Sequence, residues 1–142
     1  MRHEDLVEYY PRLFHMAEAG TWPSIRKQGL LSTTALLDLF GINAEERFKI
    51  ESCQRPKCFL ISHPRLGDAV VRDQKPMSDK ALRRCLQNME PREWYETLNR
   101  KVFFWLTRER LLTLLSARAY RNREHCVLTL DRFLTVIRRF LP

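Results

Sequence analysis

Residues 12–31 read RLFHMAEAGTWPSIRKQGLL, a strand pattern that gives way to a helix pattern within one turn. The run at 12–16 is short and apolar and carries a histidine, which predicts a β-strand. Period-two alternation sets His15 on the same face as Leu13. Thr21 is a good N-cap, Pro23 suits a first helical turn and Gly29 suits a stop. Residues 22–28 are therefore predicted to be helical.

The same signals extend downstream. Ser32 or Thr33 caps ALLDLF at 35–40, which stops at Gly41. Asn43 and Glu46 have the spacing of a capping box opening a helix over 44–50. Strands are predicted at 57–62 (KCFLIS), broken by His63-Pro64, and at 69–72 (AVVR). Ser78 caps a helix to about residue 89, and another opens at Pro91 with Trp94, Tyr95 and Leu98 at helical spacing. Residues 102–106 (VFFWL) form the strongest strand signal in the chain. Thr107 caps a helix over 108–120 with Leu111, Leu112, Leu115 and Ala119 on one face. A strand follows at 125–130 (HCVLTL), then a tail from Asp131 that reads as a short helix or a strand. Residues 4–10 read as a short helix ended by Pro11. Helices and strands mix without strict βαβ alternation, so the predicted fold is α+β, with small sheets flanked by helices.

The 142 residues suit a single domain, 1–142, long enough to bury a core. No apolar run reaches the ~18–20 residues of a membrane span, and the first ten residues lack a signal-peptide core, so a cytoplasmic protein is expected. Four cysteines, Cys53, Cys58, Cys85 and Cys126, fit a reducing compartment as half-buried thiols. Cys53, Cys58 and His63 fall short of a zinc ligand set, so no metal is expected. Four glycines leave no glycine-rich phosphate loop. Residues 1–99 carry 15 Lys+Arg against 14 Asp+Glu, whereas residues 100–142 carry 10 against 3. Nearly all of the +8 net charge thus sits in an arginine-rich last third. Arg118, Arg121 and Arg123 are its candidate nucleic-acid contacts; a solvated helix end is the plainer alternative.

Leu13-Phe14-His15, the helix at 22–28 and Gly29-Leu30 together resemble the opening of ADP-ribosyltransferase domains. There a Leu-aromatic-His strand precedes a helix ending in Gly-Leu. Residues 103–107 (FFWLT), the helix after them and the strand at 127–130 resemble a second part of that superfamily. Residues 71–76 (VRDQKP), with Trp94-Tyr95 and 99–105 (NRKVFFW), resemble an uncharacterised bacterial family distantly similar to DNA-modifying ADP-ribosyltransferase toxins. The resemblance covers most of the chain. It implies an ADP-ribosyltransferase-type domain with NAD as cofactor and nucleic acid or protein as acceptor. His15 would hold a ribose hydroxyl, Phe104 or Trp105 would stack on nicotinamide where the superfamily usually has Tyr, and Arg72 would grip phosphate.

The superfamily's catalytic Glu lies on a late strand. Here the acids of that region are Glu109, Glu124 and Asp131, none at that position. Three readings stay open: a chain shorter at its C-terminal end than its relatives, another acid in that role, or a binding module that does not catalyse transfer. For each residue there is also a plain reading. His15 can be a strand histidine paired with a backbone carbonyl, residues 103–105 can be core, and Arg72 can pair with Asp73.

Overall fold

The computed structural model describes residues 8–131. The chain is α+β, with strands β1 (Arg12–Glu18), β2 (Phe59–His63), β3 (Gly67–Val71) and β4 (His125–Asp131). The helices are α1 (Trp22–Gln28), α2 (Thr33–Phe40), α3 (Ala44–Glu51), α4 (Asp79–Cys85), α5 (Pro91–Asn99) and α6 (Arg108–Leu115). It divides into two compact units: Met1–Gly20 with Phe103–Pro142, and Thr21–Val102. Among the described residues no helix is long and apolar enough to cross a membrane.

The first unit is organised by β1. Its one edge pairs antiparallel with β4, from Arg12 opposite Asp131 to Glu18 opposite His125. Its other edge takes a single bridge, in which Phe14 and Trp105 exchange backbone hydrogen bonds of 3.0 and 2.8 Å. The predicted strand at 102–106 is therefore reduced to Trp105. On its C-terminal side Thr107 already caps α6, its hydroxyl accepting from the Arg110 amide at 3.3 Å. Helix α6 ends at Leu115, short of the predicted residue 120. The Ser116 hydroxyl donates to the Leu112 and Thr113 carbonyls, a local bond that competes with helix continuation.

The second unit builds its core on the β2–β3 hairpin. Cross-strand partners Phe59–Val71 and Ile61–Ala69 share one face. That face packs with Leu37 and Phe40 of α2 and Ile50 of α3. The three-residue hairpin loop closes at Gly67, whose φ of 81° a side chain would resist. Helix α2 stops at Gly41 (φ 68°), with Gly41 N–H on the Asp38 carbonyl and Ile42 N–H on Leu37, a Schellman end that delivers Ile42 to the core. Ser32 caps α2 as predicted, accepting from the Ala35 amide at 3.2 Å. Asn43 forms no cap; its amide turns back to the Gly41 carbonyl. Helix α4 ends at Cys85 rather than near residue 89, and Asn88 beyond it has a left-handed φ of 54°, which asparagine tolerates. The predicted tail from 132 and most of the 4–10 helix lie outside the described residues; residues 8–9 are helical.

Beside this core sits a buried polar hub. The Arg55 side chain, in a residue 5% exposed, donates to the carbonyls of Arg72 (2.9 Å) and Ile50 and to Asn99 Oδ1 (2.9 Å). Asn99, 3% exposed, donates in turn to the Glu51 and Tyr95 carbonyls, both at 2.8 Å. The ends of α3 and α5 and the strand exit after β3 are thus joined through two side chains. Burial pushes the Arg55 guanidinium down to about 10, still protonated at neutral pH. A buried charge held this way is costly to orphan. Asn99→Ala should therefore lower unfolding free energy by about 2–3 kcal/mol in urea titrations. A loss below about 0.5 kcal/mol, the range of ordinary surface substitutions, would contradict this role.

Candidate functional site

The strand residues that the sequence singles out converge in the first unit. His15 is half-buried on β1 and its Nδ1 lies 2.9 Å from the Phe103 carbonyl oxygen. A carbonyl only accepts, so Nδ1 carries the proton and Nε2 is the acceptor nitrogen. The Phe104 ring stands tilted to the imidazole, with centroids 5.8 Å apart. Trp105 follows, fixed by its backbone bridge to Phe14. One imidazole of defined tautomer and one aromatic ring are thus held together by backbone geometry. Phe103 itself is 56% exposed.

Strand register decides what accompanies His15. Its face of the β1–β4 sheet also carries Leu13, Ala17, Cys126, Leu128 and Leu130. The acids Glu18 and Asp131 stand on the opposite face. Glu18 is there held by Arg123, whose Nη2 reaches its two oxygens at 3.1 and 3.0 Å. Arg123 is therefore a structural partner of β1, while Arg118 and Arg121 are exposed.

Arg72 belongs to the second unit. Its side chain is 16% exposed and its Nη2 lies 3.9 Å from Asp73 Oδ1. The Cys58 thiol donates to that same carboxylate oxygen at 3.4 Å. Among the described residues no three His, Cys, Asp or Glu side chains gather as a metal would need.

The second unit holds a feature that no motif announces. A cleft of about 510 Å³ is lined by Phe48, Cys53, Met77, Arg83, Arg92 and Tyr95 among others. Arg92 lies over the Phe48 ring at 5.4 Å and bonds Glu96 at 2.8 Å. Arg83 pairs with Glu90 at 2.6 Å. The buried Tyr95 hydroxyl donates to Asp79 Oδ1 at 2.7 Å. These residues span four segments with no fixed spacing, so only the folded chain brings them together.

The sheet that carries His15 and the helices around this cleft fall within the span of one family model, matched over residues 11–135. The chain belongs to the DUF7002 family. The family's description is a family of unknown function. No curated protein and no solved structure matches the chain. DUF7002 membership thus covers β1 to β4 and leaves the chemistry to be argued from the residues.

Burial, then the Asp79 bond, pushes Tyr95 up to about 12. A raised phenol pKa means that the folded state keeps its proton longer than the unfolded chain. The associated stability is complete below the unfolded value near 10 and is lost as pH rises towards 12. The unfolding midpoint should fall over that window, and Tyr95→Phe should flatten the fall. An unchanged slope in the variant would contradict the assignment.

Proposed function

We propose that this chain is an ADP-ribosyltransferase-like module that binds NAD through its first unit. His15 Nε2 accepts from a ribose hydroxyl, and Phe104 or Trp105 lies against the nicotinamide ring. The observation that carries the proposal is the His15–Phe103 hydrogen bond beside the Phe104 ring. It supplies what a dinucleotide needs from such a strand: a positioned acceptor and a π-face. Arg72, to which the resemblance assigns a phosphate, belongs to the second unit and takes no part in this proposal.

A second reading, binding without transfer, is favoured by one specific observation. Cleaving the nicotinamide–ribose bond develops a cation that a carboxylate normally stabilises. Glu18 and Asp131 face away from His15 across the sheet, and its own face is apolar apart from Cys126. On this reading NAD, or a nucleotide like it, is held rather than consumed.

Calorimetric titration with NAD tests both readings. The wild-type chain should bind, and His15→Ala should weaken binding about tenfold, the worth of one hydrogen bond of ~1.4 kcal/mol. Thermal unfolding of the variant separates this loss from a loss of fold. No heat at millimolar NAD would overturn the proposal. Nicotinamide release during the titration would restore transfer and set aside the second reading.

A further inference from the structure

We propose that the turn between α6 and β4 is a docking surface for the sugar-phosphate backbone of nucleic acid. This proposal is independent of NAD and uses different residues. The turn is ordered by its own backbone. Tyr120 N–H and Arg121 N–H both donate to the Ala117 carbonyl, at 2.8 and 2.9 Å, and Arg123 N–H donates to the Tyr120 carbonyl at 3.0 Å.

Two side chains then pin it. His125 Nε2 donates to the Tyr120 carbonyl at 2.9 Å, with the two rings edge to face at 5.9 Å. Arg123 grips both oxygens of Glu18 and so ties the end of the turn to β1. That pair also neutralises Glu18. Arg118, Arg121 and Asn122 are exposed, as is Glu124 at the end of the turn. Among the described residues neither Arg118 nor Arg121 makes an ion pair. Glu124 is the one acid in residues 116–124.

Two guanidiniums three residues apart on a pre-ordered turn suit a ligand with repeated anionic groups. Guanidinium offers two parallel donors to each phosphate, and the Asn122 amide adds a donor and an acceptor beside them. Ordering before binding reduces the entropy lost on association. Both guanidiniums are exposed, so a single small anion, still largely solvated there, gains little. A membrane is a poorer occupant, because residues 116–124 include no exposed large apolar side chain to enter a bilayer. A nucleic-acid backbone presents phosphates at regular short spacing and needs no such side chain.

The experiment is fluorescence anisotropy of a labelled 20-nucleotide single strand and the matching duplex across a salt series. The wild type is compared with Arg118→Gln/Arg121→Gln. Both positions are exposed, so circular dichroism and NAD titration of the variant should match the wild type. Wild-type binding should weaken steeply with salt. The double variant should bind about tenfold or more weakly at low salt. Its log–log salt slope should be shallower by about 1.4 on the single strand and about 1.8 on the duplex, two contacts at ~0.7 and ~0.9 each. Unchanged affinity and slope in the variant would overturn the proposal, as would no binding at low salt. Loss of binding to phosphatidylserine vesicles with nucleic-acid binding intact would assign the turn to a membrane instead.

Discussion

Strand β1 is held on both edges, and the bond from His15 Nδ1 to the Phe103 carbonyl ties its face to the second of those edges. Much of the first unit follows from that arrangement. The Phe14–Trp105 bridge sets where residues 103–105 run, and Thr107 can then open α6 two residues later. The same bond gives the imidazole one tautomer and one orientation. A histidine so held is pre-organised, which is the condition for a weak polar contact to orient a ligand. A structural histidine and a ligand-binding one share this geometry, and the Phe104 ring packed beside it serves either role.

In the second unit the corresponding constraint is a buried guanidinium. Arg55 converges on carbonyls from α3 and from the segment after β3, with Asn99 completing the set. An apolar side chain at 55 would leave those carbonyls without donors. A second polar pair links the middle of α5 to the end of α3, Ser52 donating to Glu96 at 2.7 Å. Glu96 in turn holds Arg92, which places a cation over Phe48 at the cleft. Packing, polar satisfaction and the cleft wall are linked in one chain of contacts.

The local signals that proved legible are those written in adjacent residues. Ser32, Ser78 and Thr107 cap their helices as their types predict, and Gly41 ends α2 with the left-handed geometry that its lack of a side chain allows. The His-bearing strand and the strand at 125 also fall where period-two patterns put them. Residues 102–106 mislead, because β-propensity reports a fit to a half-buried surface and not the availability of a partner strand. Only Trp105 finds one. The Arg55 hub and the cleft are illegible for a different reason. Their members are separated by tens of residues, and a buried arginine looks in sequence like any surface cation. Arg123 is a related case: an arginine of the last third, it is spent on β1 through Glu18, over a hundred residues away.

The two units thus offer different chemistry: an imidazole with an aromatic ring in the first, and in the second one arginine, Arg92, over the Phe48 ring. The central claim is that nucleotide recognition belongs to the first. Amide chemical-shift mapping of the labelled protein during NAD addition tests it residue by residue. Shifts should concentrate at His15, at its cross-strand neighbour Leu128 and at residues 103–105. Shifts concentrated instead at Phe48, Arg83 and Arg92, or none at millimolar NAD, would contradict it.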